Sequence, residues 1–191
     1  GEARLAAIRK AGGEAVALSV DATRKDDLER ILAETEKALG PVTIALNGAG
    51  INSSTPYLEI TVEEMERIFA VNYKSVFLGC QVFGKAMIGR GKGGAILNMS
   101  SMSAIRPLSR VFTYSATKAA LLNLTMNLAR EWAPHNVRVN ALAPGFFPAE
   151  QNRKVLTPDR VASILGQTPM GRFGEACELV GATLLLASGT A

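Results

Sequence analysis

Tyr114 and Lys118 stand four residues apart in a stretch with helical periodicity, so a phenol and an ammonium share one helix face. Alone the pair is a weak signal, since exposed helices carry such pairs. Its neighbours give it weight. Ser100-Ser101 follows directly on the apolar run 95–99, at the carboxyl end of an expected strand, where open α/β sheets hold their ligands. Asn47-Gly48-Ala49-Gly50 follows a second apolar run, and Pro144-Gly145 a third. Asn72 falls among the apolar positions of a long helical pattern, where a buried amide needs a partner. Proton-carrying, orienting and backbone-exposing residues thus gather at one sheet edge. Other chemistries fit less well. Any His-based triad would rest on His135, the single histidine, which sits in a turn between Pro134 and Asn136. No Cys/His cluster has metal-ligand spacing, so no metal site is expected.

The elements that must position these residues alternate along the chain. Apolar positions predict helices ending before Gly12-Gly13 and over 24–39, 61–89, 113–132 and 175–188. Thr61 with Glu64 three residues on is a capping box for the longest of them. Short apolar runs predict strands at 16–20, 42–46, 95–99 and 137–142. Those strands are continuously apolar and do not alternate, the mark of a parallel sheet covered on both faces. The expected fold is α/β, a doubly wound Rossmann-like parallel sheet in three layers α/β/α. Gly89-Arg90-Gly91-Lys92-Gly93-Gly94 matches the dinucleotide pattern G-x-G-x-x-G, but it joins a helix to a strand. A phosphate cradle needs the reverse order, so the run is a turn.

Composition narrows the class. The chain has 191 residues, 48% of them hydrophobic and 20% charged, with a formal net charge of +4. The basic excess is scattered, so neither nucleic acid nor a membrane surface is an expected partner. No apolar stretch approaches the ~18 residues of a membrane span, and the expected location is cytoplasmic. Cys80 and Cys177 are expected as reduced core residues and not as a bridge.

Together these motifs resemble the short-chain dehydrogenase/reductase family. The matching pieces are Leu46-Asn47-Gly48-Ala49-Gly50, Val71-Asn72, Ile96-Leu97-Asn98-Met99-Ser100-Ser101, Tyr114-Ser115-Ala116-Thr117-Lys118, and Val137-Arg138-Val139-Asn140 through Pro144-Gly145. Ser101 lies 13 residues before Tyr114, the family's spacing. The resemblance implies an enzyme that moves hydride between NAD or NADP and a secondary alcohol or ketone. It makes Tyr114 the acid/base, its pKa lowered by the Lys118 ammonium. Lys118 would also bond the nicotinamide ribose, Ser101 would hold the reacting oxygen, and Asn72 would hold a water that links Lys118 to solvent. It puts Asp21 and Ala22 at the adenine, Asn47, Gly48, Ala49 and Gly50 at the adenosine ribose, and Pro144 and Gly145 beside the nicotinamide. The helices 61–89 and 113–133 would build a homodimer or homotetramer.

The chain also departs from the family pattern. The first two strands, with their glycine-rich turn, and the last strand have no counterpart, which leaves 16–20 without a neighbour. The expectation is therefore one partial dinucleotide-binding and catalytic domain, truncated at both ends, with 146–174 as a substrate-covering segment and no activity on its own. Phe146 through Arg153, with Ser103, Arg106 and the run 168–174, is similar to the branch of gluconate 5-dehydrogenase-like and mannonate oxidoreductase-like members. Ser103, Arg106, Phe146 and Arg153 are accordingly the expected substrate contacts, an arginine reading a carboxylate. A 3-oxoacyl carrier-protein reductase is the rival enzyme reading, and an inactive oligomer-building homologue is the rival of another class.

Overall fold

A computed structural model describes residues 2–147 and 157–189. Helices α1 (Glu2–Lys10) and α2 (Lys25–Leu39) precede strand β1 (Ile44–Asn47). A single helical run then comprises α3 (Val62–Phe69), a π turn (Ala70–Lys74) and α4 (Ser75–Arg90). Strand β2 (Gly94–Met99), α5 (Phe112–Trp132), β3 (Val137–Leu142), α6 (Pro158–Gly166) and α7 (Glu178–Ala187) complete the order. The strands lie in the order β1-β2-β3, all parallel, with Asn47 beside Asn98 and Met99 beside Leu142. Their carboxyl ends therefore share one edge, where the loops 48–57, 100–111 and 143–147 emerge.

The core forms where α4 and α5 lie on the sheet. Val76, Cys80 and Met87 from α4 and Leu121 from α5 pack on Ala45, Ile96, Val137 and Val139. The helix α7 packs against β2 and β3. This is the expected parallel sheet with flanking helices, an α/β architecture of the Rossmann kind. The glycine run closes α4 as a turn, with Gly91 and Gly93 at φ 66° and 72°. His135 is exposed in the 3₁₀ turn Ala133–His135.

Three expectations need correction. Residues 16–20 form no strand: among the described residues nothing pairs with them, and an apolar run without a ladder partner has no strand to join. They are held instead through α2, whose Arg30 Nη2 donates to Ser19 O at 2.8 Å. The 61–89 helix is not a regular α-helix, because it carries the π turn, a local widening that recurs at functional sites. Cys177 is exposed at the start of α7; only Cys80 belongs to the core, and both thiols are free.

Candidate active site

The three strand ends and their loops enclose a cleft of about 330 Å³, lined among others by Gly48, Gly50, Ser101, Tyr114, Lys118 and Gly145. Helix α5 presents Tyr114 and Lys118 on successive turns, with Lys118 Nζ 5.5 Å from the Tyr114 ring centroid. The ammonium is buried and donates to Met99 O, at the end of β2, at 2.6 Å. Burial pulls the Lys118 amine down to about 8. Burial also pushes the Tyr114 phenol above its ordinary value, against the lowering effect of a hydrogen bond with Ser101. Burial, and not the Lys118 ammonium, sets the direction of the Tyr114 shift.

Ser101 is oriented by its neighbour. The Ser103 amide and hydroxyl both donate to Ser101 Oγ, at 3.2 and 3.1 Å. A hydroxyl with two lone pairs so occupied keeps its own proton for donation. Ser103 is buried and also lines the cleft, so the expected substrate contact is in the first place the orienter of Ser101. Ser100, by contrast, donates to Lys118 O at 2.9 Å and fixes β2 to α5.

Asn72 sits in the π turn, fully buried. Its Oδ1 accepts the Ile51 amide at 2.7 Å, and its Nδ2 donates to Ile51 O at 2.9 Å and Thr117 Oγ1 at 3.2 Å. Both amide protons are thus engaged, and one Oδ1 lone pair remains. Asn72 does not line the cleft. It holds the loop after β1, together with Glu64, whose carboxylate accepts from Ser53 Oγ at 2.6 Å and Thr55 Oγ1 at 2.9 Å. The capping box is therefore half formed. Thr61 caps α3 by accepting the Glu64 amide at 3.1 Å, while the Glu64 side chain is diverted to the loop.

Asn47 turns inward. Its Nδ2 donates to Asn98 Oδ1 at 2.9 Å, and Asn98 Nδ2 donates to Thr125 Oγ1 at 3.0 Å, an amide ladder from β1 through β2 to α5. Gly79 of α4 makes room for it, since a Cβ there would come within 2.5 Å of Asn47 Oδ1. Asn47 and Ala49 do not line the cleft; Gly48 and Gly50 do. Asp21 and Ala22 lie outside it too. Asp21 Oδ1 accepts the Thr23 hydroxyl and amide at 2.7 and 2.9 Å, which hold its carboxyl below the ordinary value.

Of the remaining expected residues, Pro144, Gly145 and Phe146 line the cleft, Phe146 with its ring 6.4 Å from that of Phe173. Arg106 is exposed and not in the lining, and Arg153 lies outside the described residues. Sequence reasoning missed Asn52, Leu108, Val111, Phe147, Arg160 and Leu179 as lining. Phe147, Arg160 and Phe173 carried one shared signal, their place in the expected substrate-covering segment 146–174.

A family model described as Enoyl-(Acyl carrier protein) reductase matches residues 1–191. The chain belongs to the short-chain dehydrogenase/reductase family. It is 41% identical to the galactitol 2-dehydrogenase (L-tagatose-forming) of Cereibacter sphaeroides, over 92% of this chain and 70% of that protein. It is 34% identical to the NAD-dependent glycerol dehydrogenase of Listeria innocua, over 92% and 69%. The crystal structure of a gluconate 5-dehydrogenase from Burkholderia cenocepacia in complex with NADP and tartrate superposes with a TM-score of 0.91 at 30% identity, over 97% of this chain and 73% of that one. As a short-chain dehydrogenase/reductase the chain is an oxidoreductase of CH–OH groups, with NAD or NADP as cofactor. No described helix is long and apolar enough to cross a membrane.

Proposed function

We propose that this short-chain dehydrogenase/reductase interconverts a secondary alcohol and a ketone of a polyhydroxy acid or polyol. The observation that carries the reading is the meeting of Ser101, Tyr114 and Lys118 on the lining of one cleft at the carboxyl edge of the sheet. NAD(P), when bound, supplies the hydride donor or acceptor. The cleft suits its nicotinamide end: Gly48, Gly50 and Gly145 leave backbone bare there, and a Cβ at Gly50 would stand 3.6 Å from Lys118 Nζ. Lys118 would hold the ribose beside the nicotinamide, Pro144 and Gly145 would flank the ring, Gly48 and Gly50 would border the cofactor along the cleft, and Asn47 and Ala49 with Asp21 and Ala22 would lie toward the adenosine end.

Tyr114 Oη gives the proton to a ketone oxygen, or takes it from an alcohol. The raised phenol keeps that proton near neutrality, so Tyr114 is poised as the acid of the reductive direction. Ser101, its lone pairs held by Ser103, donates to the same substrate oxygen and steadies the charge that develops there. Asn72 positions the loop carrying Gly50 and Ile51. Helices α3–α4 and α5 form the interface of a homodimer or homotetramer. The assembled site speaks against an inactive homologue, and a lining that includes Asn52 and Ser103 suits a polyhydroxy substrate better than an acyl chain. Tyr114→Phe in the full-length protein tests the reading. Turnover is lost while cofactor affinity, followed by nucleotide fluorescence, stays within a few-fold. A variant that keeps more than about a tenth of kcat would remove Tyr114 from the acid/base role.

A further inference from the structure

The lining of the cleft is unbalanced in charge. Among the described lining residues two are cations, Lys118 and Arg160, and none is a carboxylate; the rest are largely apolar. Low-dielectric walls around unmatched positive charge concentrate the field in the space between them. The two cations are not equivalent. Lys118 is buried beside Tyr114 and engaged with Met99 O at 2.6 Å. Arg160 is half-buried on α6, across the sequence from the catalytic elements, and has no carboxylate partner among the described residues.

The backbone of Arg160 is fixed. Thr157 caps α6 by accepting the Arg160 amide at 3.4 Å, which sets this residue in the first turn. Its Nη2 donates to Ser109 O at 3.2 Å, on the loop that also brings Leu108 and Val111 to the cleft. One guanidinium nitrogen is therefore anchored to the opposite loop, while the remaining donors of the fork have no partner among the described residues. A planar fork held at one end, beside a cleft with no carboxylate among its described lining residues, matches a carboxylate better than a hydroxyl.

We infer that Arg160 binds the carboxylate of a polyhydroxy-acid substrate whose carbinol lies at Ser101 and Tyr114. The assignment rests on the oxidoreductase reading above. It moves carboxylate recognition from Arg106, which is outside the lining, to a residue of α6. It also makes the enzyme discriminate between an acid and the polyol of the same carbon skeleton by charge at the far end from the reacting carbon.

The test compares D-gluconate with D-glucitol, its uncharged analogue, in the full-length protein with NAD or NADP. Variants are Arg160→Ala and Arg160→Gln; the second keeps a donor for Ser109 O, so α6 stays anchored while the charge is gone. Both variants should lose about tenfold or more in kcat/KM for D-gluconate, the size of one charge-assisted pair, and stay within about threefold for D-glucitol. Equal effects on the two substrates, including no effect on either, would overturn the assignment and leave the oxidoreductase reading intact. Calorimetric titration of D-gluconate decides independently of turnover. Affinity that falls tenfold in Arg160→Gln supports the site, and affinity that is unchanged or absent in the wild type overturns it. Turnover of neither compound by the wild type would instead sink the polyhydroxy substrate reading.

Discussion

Lys118→Met should make the protein inactive and more stable at neutral pH. Lys118 is 4% exposed, and burial pulls its amine from the ordinary 10.5 down to about 8. The gap corresponds to about 3 kcal/mol by which the folded state disfavours the ammonium relative to the unfolded chain. Methionine removes that cost with a side chain of similar length. It also leaves Met99 O without the Nζ donor, a loss of about 1 kcal/mol. The expected net gain at pH 7 is about 2 kcal/mol. Its pH dependence identifies the source. Between pH 8 and 10.5 the unfolded wild-type chain still binds the proton and the folded one does not, so wild-type stability rises with pH across that window. The advantage of the variant should therefore shrink across that window and, falling by about 1.4 kcal/mol per pH unit, reverse before its upper end. Urea unfolding of both proteins at pH 7 and pH 10 measures the difference. A variant less stable at pH 7, or an advantage equal at the two pH values, would refute the argument that burial governs this amine.

Two further predictions concern packing. Gly79→Ala puts a Cβ 2.5 Å from Asn47 Oδ1 and must displace the amide ladder, so it should destabilise by about 1–3 kcal/mol in urea; a loss below about 0.5 kcal/mol would show the ladder to be yielding. Phe77 on α4 and Met126 on α5 are exposed large apolar side chains on the helices proposed as the subunit interface, so sedimentation of the full-length protein at micromolar concentration should give a dimer or larger species. A single monomer boundary would contradict that interface.

Much of the fold was legible because the spacing of apolar residues is itself the physical signal. Expected strands at 95–99 and 137–142 stand at Gly94–Met99 and Val137–Leu142, and α2 and α5 keep their bounds within a residue or so. The run 16–20 shows the limit of that signal: an apolar pentapeptide suits a strand, yet a strand exists only through a neighbour's hydrogen bonds. The π turn was illegible for another reason. One extra residue in a helix alters the phase of the apolar stripe by less than the stripe is wide, so Asn72 reads as an odd residue on a regular helix. The expected substrate-covering segment 146–174 includes Arg160, yet no periodicity says which of its side chains faces the cleft.

The site divides the same way. Tyr114, Lys118 and Ser101 were legible because one helix turn and one strand end fix where they point. The roles of their polar neighbours were not, because a side-chain amide or hydroxyl takes its meaning from its partner. Asn47, Asn72 and Ser103 are all close to the expected site, yet Asn47 and Asn72 turn into the protein, and the bonds recorded for Ser103 go to Ser101. Each satisfies buried polar groups and in doing so holds a loop or a hydroxyl in place. That arrangement answers the instability of the buried Lys118. A lone ammonium in the core would favour unfolding at neutral pH, and it is tolerated because the elements around it are cross-linked by hydrogen bonds: β1 to β2 to α5 through Asn47, Asn98 and Thr125, and the loop after β1 to the π turn through Asn72. The polar network thus sustains a reactive lysine that the apolar core alone would disfavour.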